Sequence, residues 1–231
     1  YGCPDYQCLP ATVELGVEGN PNPTSVTLEI PLAGFPRWGP DHPTLLPRTV
    51  EFCASECDTV YGYGALRTWS VDWVAGHKPA EQEEPTEQYQ GFFVNGEPFY
   101  LRGILDQGYH PQGISQYPSK AARMDELAAL QALGFNTIRQ HIKPEPPWFY
   151  AACDALGLAV IYDMPCPYDV APSPPAAPWA PAWEDMTENL IERDANHPSI
   201  LFWVNFNEAW GLLTPPFWMN STCVCSTISS S

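Results

Sequence analysis

The feature that most constrains this chain is the rhythm of its second half, where apolar strand patterns and helix patterns alternate four times across short connections. Strand candidates fall at residues 100–105, 137–142, 158–162 and 200–206. Between them, Ser119 can cap a helix carrying Met124, Leu127 and Leu130 on one stripe, with Gly134 at the position that ends it. Pro146-Pro147 opens a second helix that Gly157 closes, and a third begins near Pro181-Ala182-Trp183. Four such steps imply parallel strands joined by right-handed crossovers. This periodicity alone leaves open whether they curve toward a barrel or form an open doubly wound sheet.

The first half reads differently. Residues 11–15 and 25–30 alternate apolar with polar, and residues 50–53 and 65–71 repeat the pattern between Gly, Pro and Asn turns. These are short antiparallel strands, too few for a complete seven-stranded sandwich. Residues 78–88, acidic and Pro-containing, read as a solvated linker. Hydrophobic residues make up 45% of the 231 and aromatics 13%, enough for a buried core. Lys plus Arg number 10 against 27 Asp plus Glu, a net charge of −17, which sets aside a nucleic-acid partner. No apolar run is long enough to span a bilayer. The first residue is Tyr1, not Met, so a processed chain or a fragment is expected. Of eight cysteines, six fall in C-x4-C, C-x3-C and C-x-C pairs, and with no His at a matching interval they do not suit a zinc site. Free thiols are expected, with neither metal nor cofactor.

Reactive groups of a β/α barrel sit at the C-terminal ends of its strands. There this chain places Asp106-Gln107 and Tyr109-His110, then Arg139 and His141, then Asp163, then Asn207-Glu208. Glu208 follows an apolar run and precedes Ala209-Trp210, a setting that raises a carboxyl pKa as general-acid work requires. Trp179 and Trp183, at the start of a helix, are expected to pack inward. No Gly-x-Ser-x-Gly elbow occurs, which disfavours a serine hydrolase.

The blocks at residues 91–103, 133–139, 153–158 and 193–200, together with Asn207-Glu208, resemble glycoside hydrolase family 2, which includes β-galactosidases, β-glucuronidases and β-mannosidases. More loosely, residues 38–45, 58–60 and 64–67 are similar to strands of that family's immunoglobulin-like domain. The resemblance implies a multidomain β plus α/β chain: a partial immunoglobulin-like β-sandwich over 1–77, a linker over 78–90, the first half of a TIM (β/α)8 barrel over 91–211 and an atypical tail over 212–231. It implies that Glu208 is the acid/base of a retaining hydrolysis of β-linked sugars. Asn207 would bind the sugar 2-hydroxyl, and Arg139 would support the catalytic carboxylates. Asp163 stands where a glutamate is usual, and His110 and Trp210 complete the expected carbohydrate contacts. His141 lies one residue earlier than the family's histidine. Because a one-residue slip on a strand reverses the side-chain face, no substrate role is expected for it.

The family's nucleophilic glutamate lies on a later strand, and no other Glu follows position 200. The chain is therefore expected to hold the acid/base without the nucleophile, and its Ser/Cys-rich end to be unrelated to the family, as an exon-boundary or frameshift artefact would produce. The alternative reading is a catalytically inactive fragment or a non-catalytic carbohydrate-contacting module.

Overall fold

The computed structural model describes residues 34–53, 55–74, 90–166 and 179–207. The chain divides into two compact units, Tyr1–Pro36 and Arg37–Ser231. Apart from residues 34–36 the described part belongs to the second, which is the unit considered below. The strand candidates at 11–15 and 25–30, the segment 78–88, the Pro-rich residues 171–178 and everything from Glu208 onward lie outside the described residues.

Strands β1 (Leu46–Cys53) and β2 (Cys57–Gly64) pair antiparallel, from Leu46 opposite Gly64 to Cys53 opposite Cys57. Cys53 and Cys57 are joined in a disulfide that closes the hairpin, while Cys153 and Cys166 are free and buried. The expectation of free thiols thus fails at the C-x3-C pair, because the hairpin register turns a sequence spacing into a direct contact. The strand expected at 65–71 starts only at Trp69, because Arg67 reaches away to donate to the Pro198 carbonyl (2.6 Å) and the Ile200 carbonyl (2.5 Å).

Strands β3 (Trp69–Trp73), β4 (Gln90–Val94) and β5 (Glu97–Phe99) form a three-stranded antiparallel sheet in chain order. Asn95 and Gly96 link β4 to β5 with φ of 55° and 84°. Two consecutive positive values are what a tight hairpin turn needs, and Asn-Gly supplies them at the least steric cost.

Four parallel strands and the three helices between them are present among the described residues, as expected. Strands β6 (Gly103–Asp106), β7 (Thr137–Gln140), β8 (Ala159–Asp163) and β9 (Ile200–Val204) form one parallel sheet in that order. Helices α1 (Lys120–Ala132), α2 (Pro147–Leu156) and α3 (Ala180–Asp194) connect them. Ser119 caps α1, its hydroxyl accepting from Ala122 N at 3.1 Å, and α2 starts on Pro147, where a missing N–H costs nothing. The first strand begins later than expected because the Asn136 side chain holds Arg102 N (2.8 Å) and the Tyr100 carbonyl (2.9 Å) outside the ladder. The second ends at Gln140, and Ile142 then takes a left-handed φ of 47°.

Leu127, Ile138, Phe149, Tyr150, Val160, Tyr162, Trp183, Ile191 and Ile200 fill the space between this sheet and its helices. The stacked rings of Tyr150 and Tyr162 lie at its centre, 5.2 Å apart. Their hydroxyls are satisfied: Tyr150 donates to Gln140 Oε1 (2.8 Å) and accepts from Glu145 N (3.0 Å), and Tyr162 donates to Asp194 Oδ2 (3.2 Å). Burial raises the pKa of both. A smaller cluster of Trp38, Val94, Ala159 and Leu201 ties the N-terminal strands to β8 and β9. Gly157 ends α2 at φ 74°, and a Cβ there would collide with the Pro40 carbonyl, so glycine permits both the turn and the close approach.

Candidate active site

Alternation along β7 sets up the site. Ile138 and Gln140 are fully buried on the helix side, so Arg139 between them faces the other way. The parallel register puts Leu105, Arg139 and Ile161 in one row of that face, and Asp163 lies two residues beyond Ile161. Leu105 is 54% exposed, which shows that this face of the sheet is open.

On it Arg139 joins two of the other expected site residues. Its Nε lies 3.1 and 3.0 Å from the two Asp163 oxygens, and its Nη2 donates to Asp163 Oδ2 at 2.8 Å and to Asn207 Oδ1 at 2.9 Å. Asp163 is fully buried, whereas Arg139 keeps 35% exposure. A two-pronged, charge-assisted contact of this kind fixes both partners in orientation. It also fixes the amide of Asn207. With Oδ1 occupied, Nδ2 is left as a buried donor without a partner among the described residues, a costly state that a ligand oxygen would relieve. Glu208 and Trp210, the next expected members, lie outside the described residues.

Other strand-end groups are used elsewhere. Asp106, opposite Gln140 in the register, turns to the helix side, where its carboxylate meets Arg123 of α1 and accepts from Gly108 N at 2.8 Å. The Arg123 guanidinium is buried between the rings of Tyr117 (4.4 Å) and Phe149 (4.5 Å), and also pairs with Glu126 and, at 3.7 Å, with Glu145. Burial alone would lower the Arg123 pKa, but Asp106 holds it up. Burial raises the Glu145 carboxyl, against the opposing pull of Lys143 and Arg123. Asp106 therefore belongs to a buried ion cluster and not to the open face on which its position in sequence had placed it. His110 sits in the loop after β6, bridged to Ile114. Its Nδ1 accepts from Gln112 N at 3.2 Å, and its ring lies 5.2 Å from Tyr117. Trp183 packs inward as expected, stacked on Phe206 and donating to the Pro165 carbonyl at 2.8 Å; Trp179 packs against the same core.

His141 lies two residues after Arg139, hence on the same face and on the opposite one from a histidine one residue later, and Gln107 Nε2 is 3.0 Å from its Nδ1.

A further cluster joins residues that no local sequence pattern brings together. Tyr63 of β2 donates to Asp154 Oδ2 at 2.6 Å, the same oxygen lies 2.6 Å from His197 Nδ1, and Ser199 N donates to Asp154 Oδ1 at 2.9 Å. Burial, reinforced by the Asp154 carboxylate, raises the Tyr63 pKa. These residues meet next to the start of β9, the end of that strand away from Asn207, and bind the hairpin to the sheet. Two of the motif blocks contain Asp154 and His197, but nothing in their spacing pairs them with Tyr63. Among the described residues, one group of three metal-ligand side chains occurs, Glu51, Cys53 and Cys57. It is exposed, and its two sulfurs are spent on the disulfide. No described helix is long and apolar enough to cross a membrane.

Comparison with known proteins bears on this arrangement. Residues 87–215 match the family described as glycosyl hydrolases family 2, TIM barrel domain. The chain is 32% identical over 121 residues to a β-galactosidase of Pseudoalteromonas haloplanktis, an alignment that takes in 50% of this chain and 11% of that protein. It is 28% identical over 173 residues to a β-galactosidase of Thermoanaerobacter pseudethanolicus, covering 74% of this chain and 21% of the other. In fold it is similar to a β-D-glucuronidase of Dictyoglomus thermophilum, with a TM-score of 0.65, 17% identity, and coverage of 84% of this chain and 32% of that one. The chain thus spans only about a tenth to a fifth of the length of these curated relatives. Because the family match takes in more than half of the chain and includes β6 to β9 with their helices, the chain belongs to glycosyl hydrolases family 2, and its parallel sheet is part of that family's TIM barrel.

Proposed function

We propose that this chain carries the acid/base side of a retaining β-glycosidase site. The observation that carries the reading is the link from Arg139 to both Asp163 and Asn207 on the open face of the sheet. In this assignment Glu208 protonates the departing glycosidic oxygen and then takes a proton from the attacking water. Asn207, its Oδ1 held by Arg139, offers Nδ2 to the sugar 2-hydroxyl, a contact that strengthens as the oxocarbenium-like transition state forms. Arg139 and Asp163 hold that amide in place, and Trp210 and His110 contribute to the sugar-contacting surface. Retention requires a second carboxylate about 5–5.5 Å from the first, which the family supplies from a later strand. The domain layout assigned with it is a partial immunoglobulin-like sandwich over 1–77, a linker over 78–90, barrel residues 91–211 and a distinct tail over 212–231. The paired antiparallel strands β1 and β2 support the sandwich assignment.

Turnover of aryl β-galactoside, β-glucuronide and β-mannoside by the wild type and by Glu208→Gln tests the proposal. Removing a general acid/base costs about 10²–10⁴-fold, so the variant should lose at least about a hundredfold on whichever glycoside is cleaved. A second reading is a non-catalytic carbohydrate-contacting module. It is the one retained if neither protein turns over any substrate while circular dichroism shows both folded.

A further inference from the structure

The buried polar clusters of this chain are spent internally: Asp106 on Arg123, Asp154 on Tyr63 and His197. One polar pair on the open face is spent only on itself. His141 N donates to the Asp106 carbonyl at 2.8 Å, which extends the β6–β7 ladder by one residue and sets Gln107 beside His141. The side-chain contact between them, Gln107 Nε2 to His141 Nδ1 at 3.0 Å, holds the imidazole plane. The Gln107 amide favours the tautomer in which Nδ1 accepts and the ring hydrogen is on Nε2, for which no partner occurs among the described residues. The ring is half-buried, and directly after it Ile142 adopts a left-handed backbone with φ of 47°. An oriented donor of this kind lies on the same face as Arg139, Asp163 and Asn207.

We infer that His141, positioned by Gln107, contacts a hydroxyl of the glycone ring and so helps to choose the sugar. The inference rests on the glycosidase reading above: His141 Nε2 donates to a ring hydroxyl of a β-linked pyranoside, and Gln107 acts through His141 by holding the ring.

Titration calorimetry of the full chain with methyl β-galactoside, β-glucuronide and β-mannoside identifies the tightest ligand, whose monodeoxy analogues are then measured. His141→Ala is expected to weaken the parent sugar about tenfold, as loss of one buried hydrogen bond does. For the single deoxy analogue lacking the contacted hydroxyl, wild type and variant should agree within about twofold. Gln107→Ala should show the same analogue pattern at about three- to fivefold, and His141→Gln should recover part of the loss. Equal weakening across every analogue would mean a structural role and overturn the inference, as would no weakening at all. Asn207→Ala separates the two levels. If it abolishes binding while His141→Ala does not alter it, only the role of His141 falls. If the wild type binds none of the three sugars, the glycosidase reading falls and takes this inference with it.

Discussion

The parallel sheet and the β1–β2 hairpin are both built from strands in one compact unit, yet they stand at opposite ends of the burial scale. In β8 every residue but Ile161 is buried: Val160 and Tyr162 under the helices of the β/α steps, Ala159 against the Trp38 cluster and Asp163 against Arg139. In the hairpin, Val50 (54% exposed) sits opposite Val60 (61%), and Tyr61 reaches 79%. Apolar alternation therefore announces that a strand has a face to bury, but the cover must come from another element. Where the chain itself supplies the next helix, as after β6, β7 and β8, burial follows from connectivity. The hairpin relies instead on its ladder, the Cys53–Cys57 disulfide and the Tyr63 hydroxyl that fastens one end to Asp154. A two-stranded ribbon without such ties is marginal in water.

This contrast can be tested by substitution. The largest effect is expected at Asp106→Ala, which removes the buried carboxylate that pairs with Arg123, leaves its charge only to Glu126 and Glu145, and should cost about 3 kcal/mol in urea unfolding. A loss below about 1 kcal/mol would mean that Arg123 reaches water and that the sheet side is less closed than described. Tyr63→Phe removes the hairpin's tie to a buried carboxylate and should cost about 1–3 kcal/mol. Hydrogen exchange should then accelerate in β2 but not in β8, and equal acceleration in both would erase the distinction between the regions.

A smaller effect concerns pH. Since burial raises the Glu145 pKa, the native chain holds this proton to a higher pH than the unfolded chain does. The stability it contributes is full below the ordinary Glu value of about 4.3 and is lost as pH rises through the raised native value. Glu145→Gln should flatten the fall of the urea midpoint above about pH 4; an unchanged slope would locate the titration elsewhere. The smallest change is expected from Val60→Ser on the open hairpin face, within about 0.5 kcal/mol. A loss above about 1 kcal/mol would reveal that this face is covered after all.

Much of the parallel sheet could be read from residue order. Ser119, Pro147 and Gly157 mark helix ends by local chemistry, and each does so in the structure. Arg139, Asp163 and Asn207 were expected together on one site, and they meet on one face. Less legible were contacts whose partners lie far apart or on a side that local pattern does not specify. The C-x3-C pair gave no hint of a bond until a hairpin set its two members opposite each other. Asp106 ends a strand as Asp163 does, but one step of register turns it toward α1 and Arg123. His141, one residue earlier than the family's histidine, takes the face of Arg139, and only the register of β6 on β7 sets Gln107 beside it.

Residue order alone settles the β/α rhythm, the helix boundaries and which polar groups stand at strand ends, because each depends on interactions within a few positions along the chain. Tertiary structure decides which of those polar groups share a face and which are consumed in buried pairs. Tyr63 and Asp154 are 91 residues apart, and Arg139 and Asn207 are 68. No local preference reaches that far; register and packing bring such groups within hydrogen-bond distance, and only then does a strand-end carboxylate become either part of a site or part of the core.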